Sequence, residues 1–205
     1  MVKFKKKSLS GSSKRWIQRH HNDSLVLKAK KEGFRSRAVF KLEEINEKSN
    51  FLKTNQNIID LGSAPGSWSQ CLSKKGFKNI LAVDVIKMED LKKVSFIQGD
   101  FTDKNVQQKI LEKYKVINVV LSDIAVNTTG NKKLDSFKTN SICLDVLDFA
   151  YKNLCKEGYL LCKFFNGELD KDIIKFSKIN FSINKIIKPK SSRKDSKEMY
   201  LFCKK

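Results

Sequence analysis

The chain has 205 residues, of which 40% are apolar, enough for one full-sized core and a single domain. No apolar run reaches membrane-spanning length and no secretory h-region opens the chain, so a soluble, cytoplasmic protein is expected. The net charge of +20 points instead to a polyanionic partner such as RNA.

All but five of the 42 basic residues are lysine, so the placement of charge says more than its sum. The first 22 residues contain no acid, and a second basic cluster spans residues 185–194. Residues 1–12 read as a flexible basic arm, and residues 13–205 as the folded domain. The five cysteines (71, 143, 155, 162 and 203) form no Cys-x-x-Cys, sit mostly among apolar neighbours, and read as core residues in a reducing compartment. No metal-ligand set is expected.

In chain order, Trp16, Ile17 and residues 24–31 read as helical, with Gly33 as a stop. Residues 36–48 form a second helix with Ala38, Leu42 and Ile45 on one face. Ile58, Ile59 and Leu61 make a buried strand around Asp60. Gly62, Pro65 and Gly66 then make a tight turn, with Ser67 as a cap for the next helix. Strand, glycine turn and helix start together offer backbone N–H groups to a nucleotide-like ligand. The order Gly-x-x-x-Gly is not the dinucleotide fingerprint.

Strands are expected at 80–85, 94–98, 116–121 and 159–165, and helices at 104–114, 135–156 and 170–178. Residues 181–187 and 199–203 close the chain as two strands with no helix between them, so they pair antiparallel. The alternation predicts an α/β fold: a seven-stranded, mostly parallel, Rossmann-like sheet with an antiparallel last strand and helices on both faces. S-adenosylmethionine-dependent methyltransferases have this arrangement.

In such a sheet the ligand lies at the carboxyl ends of the strands. Asp84, Asp100 and Asp123 follow three successive strands there. Asp84 stands about 20 residues past the glycine turn, where a carboxylate meets ribose hydroxyls. Asp100 suits an adenine amino group, and Asp123 the methyl-donor pocket. Lys163 interrupts an otherwise apolar strand, where an unpaired ammonium carries a heavy penalty. It therefore needs a carboxylate partner or must give up its proton, and a lysine that sheds its proton suits a general base.

Five stretches resemble the FtsJ family of ribosomal RNA ribose methyltransferases, in that family's order and over nearly the full length. They are residues 35–45 (RSRAVFKLEEI), 60–70 (DLGSAPGSWSQ), 122–127 (SDIAVN), 163–168 (KFFNGE) and 191–200 (SSRKDSKEMY). The resemblance implies a catalytic tetrad at Lys41, Asp123, Lys163 and Glu198. It implies S-adenosyl-L-methionine as cofactor, held by Gly62, Gly66, Trp68, Asp84, Asp100 and Asp123. Val126 departs from the family, which usually has proline there.

The expected reaction is methylation of a ribose 2′-hydroxyl, by in-line transfer with Lys163 as base. The resemblance implies a uridine of large-subunit ribosomal RNA as substrate, methylated by a monomer acting on the ribosomal subunit. Transfer RNA methylation is the alternative within the family. A non-catalytic RNA-binding assembly factor and a small-molecule methyltransferase are the alternatives outside it. Adenine amino-methylation fits poorly, because Ile-Ala-Val follows Asp123 in place of a Pro-Pro-aromatic loop.

Overall fold

Seven strands form one sheet in the computed structural model, which describes residue 18 and residues 21–126 and 129–205. The expected arm (residues 1–12), Trp16 and Ile17 lie outside the described residues. The strands are β1 (Asn57–Leu61), β2 (Asn79–Asp84), β3 (Val94–Gln98), β4 (Ile117–Ser122), β5 (Leu154–Phe165), β6 (Ile183–Ile187) and β7 (Glu198–Lys204). Their order is β3-β2-β1-β4-β5-β7-β6, and only β7 runs antiparallel to its neighbours. The order reverses between β1 and β4, which places a crevice over their carboxyl ends.

The described residues include six helices, of which all but the first pack on the sheet. They are α1 (Ser24–Lys31), α2 (Val39–Ser49), α3 (Ser67–Lys74), α4 (Lys104–Lys113), α5 (Lys132–Asn153) and α6 (Asp170–Asn180). Leu42 and Ile45 of α2 and Leu72 of α3 pack with Val119, Leu121, Leu161 and Phe202 on one face. Val106 and Ile110 of α4, Val146 and Leu147 of α5 and Ile173 of α6 pack with Leu61, Leu81, Leu160 and Cys162 on the other. With both faces covered, the central strands are mostly apolar, with Asp60 and Lys163 as exceptions, which is why they read as runs and not as alternations. No helix among the described residues is long and apolar enough to cross a membrane.

Several boundaries differ from the sequence expectation. The fifth helix begins at Lys132, three residues early, because the Asn131 side chain accepts from the N–H groups of Lys133 and Leu134. It ends at Asn153 and not at 156, because Leu154 already pairs with Ile117 as the first residue of β5. Glu157 then takes a left-handed φ of 66°, and the register resumes at Tyr159 opposite Val119. Ser67 is not a cap: Gly66 holds that position at φ 100°, and the Ser67 hydroxyl bonds to Ser36 Oγ at 2.7 Å. The helix expected from 36 begins at Val39, with the Ser36 hydroxyl accepting from Ala38 N–H.

Candidate active site

The strand ends open onto a cavity of about 650 Å³, lined by Gly62, Ala64, Asp84, Asp100, Phe101, Asp123, Ile124, Val126, Ile142 and Asp145 among others. Local hydrogen bonds build its walls. Asp84 accepts from Ala64 N–H at 2.8 Å and Ile86 N–H at 2.7 Å, tying the glycine turn to the end of β2. Asp100 accepts from the N–H and hydroxyl of Thr102 at 2.9 and 2.7 Å. Gly62 sits at φ +68°, and a β-carbon there would lie 2.0 Å from Ile124 Cγ1. Only glycine lets the turn approach the loop after β4 so closely.

A smaller cavity of about 130 Å³ adjoins it through Gly62, Ala64 and Asp123, and adds Ser36, Ala38, Asp60, Ser67 and Trp68. The Trp68 indole N–H donates to Ala38 O at 2.8 Å, so the ring is fixed between α2 and the turn. Gly66 lines neither cavity. Its α-carbon faces Met88 and the guanidinium of Arg35, which donates to the carbonyls of Pro65, Glu89 and Asp90 at 2.8, 2.9 and 3.1 Å. Gly66 thus shapes the turn from behind, and Arg35 pins that turn to the loop beyond β2.

The four charged residues expected together do meet. Side chains alternate across a strand, so Lys163 falls on the same face as Leu161, opposite Tyr200 in the β5–β7 register. Glu198 lies opposite Phe165, two residues further along the same face. Asp123 follows β4 directly, one residue past the Ser122–Cys162 pair. Helix α2 packs on this face, and it brings Lys41. Lys163 Nζ donates to Asp123 O at 2.7 Å and pairs with Asp123 Oδ1 at 3.0 Å. Lys41 Nζ lies 2.8 Å from Glu198 Oε2 and 3.8 Å from Asp123 Oδ2. Lys163 is only 7% exposed, which makes the ion pair a condition of burying it. Burial pushes the Asp123 carboxyl up, but the ammonium groups of Lys163 and Lys41 and the Tyr200 hydroxyl hold it below the usual carboxylate range.

Sequence reasoning missed several supporting groups. The Tyr200 hydroxyl donates to Asp123 Oδ1 at 2.5 Å; burial, then the charges of Asp123 and Glu198, raise it well above the usual phenol range. The Ser192 hydroxyl donates to Glu198 Oε1 at 2.7 Å. Glu44 accepts from the N–H groups of Lys190 and Ser191 at 2.9 and 3.0 Å, docking the loop before β7 onto α2. Both serines and the tyrosine stand in the C-terminal motif, but their partners are more than 70 residues away or a turn apart, out of reach of a local pattern. Among the described residues only Ser69 satisfies the buried Asp60, whose Oδ2 accepts from that residue's N–H at 3.1 Å and hydroxyl at 2.6 Å; burial pushes its carboxyl up to about 7.

S-adenosyl-L-methionine fits these residues. The larger cavity falls in the usual range for small-molecule sites. It combines an apolar wall with carboxylates suited to hydroxyl and amino donors, and the glycine turn lets backbone approach. Asp84, Asp100, Asp123 and Gly62 would hold the cofactor there, with Trp68 walling the smaller chamber.

Comparison with known proteins agrees. Residues 34–205 match the model of the FtsJ-like methyltransferase family. A Psychrobacter arcticus protein named ribosomal RNA large subunit methyltransferase E is 43% identical, over 97% of this chain and 97% of that protein. One of the same name from Allorhizobium ampelinum is 43% identical over 98% of this chain and 80% of its own length. A crystal structure from Plasmodium falciparum, described as a ribosomal RNA methyltransferase, superposes with a TM-score of 0.74 at 34% identity, over 83% of this chain and 97% of that one. The chain belongs to the FtsJ-like methyltransferase family, and S-adenosyl-L-methionine is its methyl donor.

Proposed function

We propose that this enzyme methylates a ribose 2′-hydroxyl of large-subunit ribosomal RNA, a uridine by family resemblance, working as a cytoplasmic monomer on the ribosomal subunit. The observation that carries this reading is the Lys163 ammonium buried against Asp123, beside Lys41 and Glu198, at the edge of the donor cavity. The relatives' names supply the RNA class.

When bound, S-adenosyl-L-methionine supplies a methyl group already activated on a sulfonium. The chain itself must place a poorly acidic hydroxyl in line and take its proton. Lys163 has three donor positions, and Asp123 O and Oδ1 occupy two, which leaves one for the acceptor hydroxyl. In its neutral form that amine takes the hydroxyl proton as the new C–O bond forms and the methyl–sulfonium bond breaks, so the positive charge passes from sulfur to the lysine. Asp123 and Tyr200 fix the amine's position, and Glu198 fixes Lys41, whose positive charge steers the nucleotide. The basic loop before β7 borders the site and meets the phosphate backbone.

The test uses large ribosomal subunits lacking the modification and donor carrying a labelled methyl. Wild-type protein is expected to label a 2′-O-methylnucleoside in the large-subunit RNA. Lys163→Ala is expected to lose about 10³-fold in rate, a typical general-base contribution, while still binding S-adenosyl-L-homocysteine. Label on a base or only in transfer RNA overturns the substrate; retained turnover in the variant removes Lys163 from the base role.

A further inference from the structure

Four carboxylates line the donor cavity, and the protein already occupies three of them. Asp84 receives two backbone N–H groups. Asp123 receives Lys163, Lys41 and Tyr200. Asp100 gives one oxygen to Thr102, and no described residue donates to the other. The fourth, Asp145, sits halfway along α5, and no described residue donates to it or pairs with it. The charges that face it are Asp148 on its own helix and Asp100 across the cavity, both of its own sign.

The same cavity is lined by the apolar side chains of Phe101, Ile142 and Val126. Two unsatisfied acceptors over an apolar wall suit a flat heteroaromatic ring that carries an amino group with two N–H donors. A ring with an oxo group in that place would set a third oxygen against two carboxylates. We propose that Asp145 is a specificity-determining residue: with Asp100 it accepts the two N–H bonds of the donor's exocyclic amino group, and it selects adenine over the 6-oxo ring. The inference rests on the cavity being the donor site.

Calorimetric titration of S-adenosyl-L-homocysteine and its deaminated analogue, S-inosyl-L-homocysteine, tests it without RNA or turnover. Asp145→Leu is expected to weaken the adenosyl ligand about tenfold, the worth of one charge-assisted hydrogen bond, and to leave the inosyl ligand unweakened. Asp145→Asn, whose amide both accepts and donates, is expected to keep the adenosyl ligand within about threefold and to strengthen the inosyl one. Asp145 is exposed within the open cavity, so leucine there leaves the core intact. Equal weakening of both ligands, or none, overturns the assignment. Wild-type protein that bound neither would instead overturn the donor site itself.

Discussion

The donor cavity and the charged cluster share Asp123 but are built by different means. On the donor side, carboxylates are satisfied by neutral donors, two of them only two residues off: Asp100 by Thr102, Asp84 by Ile86 and by Ala64 of the glycine turn. In the cluster, Asp123 and Glu198 are satisfied by ammonium groups from separate elements, 40 and 157 positions apart in sequence. A site held by short-range N–H donors keeps its shape when one charge changes. A site held by buried ion pairs does not, because each partner's burial depends on the other.

The largest expected effect comes where the two meet. Asp123→Asn removes the charge facing both Lys163 and Lys41, and it stands in the wall of both cavities. Stability is expected to fall by about 3 kcal/mol, as for other broken buried pairs, with methyl transfer lost and donor binding weakened together. Chemical denaturation and calorimetry check this. The sign with pH follows from the lowered carboxyl. Its contribution is present above the ordinary value of 3.8 and is lost as the pH falls through the lower folded value, so wild type and variant converge in strong acid. A variant that lost activity at full stability would show that the cluster is not held by its charges.

That difference also decides what could be read before the fold was known. The glycine turn, Asp84, Asp100 and the strand alternation are local patterns, and spacing alone placed them at one sheet edge. Lys163 announced itself by interrupting an apolar run, and its carboxylate was found one strand away. Lys41 and Glu198 carry no such mark: one looks like any helix lysine, the other like any strand-end acid, and only family resemblance singled them out. Their meeting depends on α2 packing across the sheet onto an antiparallel strand, a long-range fact. Asp145 carries no local mark because it sits in the middle of a helix and not at a strand end, and Ser67 has the residue type of a cap while Gly66 ends the turn one residue sooner.

A smaller, cleaner effect is expected on the donor side alone. Asp84→Ala frees the N–H groups of Ala64 and Ile86, so the turn loses its tie to β2. Donor affinity is expected to fall about 30-fold, equivalent to one or two charge-assisted hydrogen bonds, and the affinity for ribosomal subunits to stay level. Equilibrium binding of S-adenosyl-L-homocysteine and of subunits, measured side by side, decides it. Parallel loss of both would erase the distinction drawn between the two regions.

Asp60 sharpens the same contrast from a third position, since it is buried like the cluster but satisfied like the donor side, by the neutral donors of Ser69. Burial, with smaller contributions from Asp123 and Asp84, lifts its carboxyl from 3.8 to about 7. Between those values the folded protein holds a proton that the unfolded chain has released. This group's contribution to stability is therefore greatest below pH 3.8 and is lost as the pH rises through about 7. Asp60→Asn keeps an oxygen that accepts from both Ser69 donors and removes the titration. The variant is expected to gain about 2 kcal/mol over wild type at pH 8 and much less at pH 5, read from denaturation midpoints. An asparagine variant less stable than wild type at pH 8 would mean that the ionised carboxylate is itself a structural requirement, and Asp60 would then belong with the charged cluster.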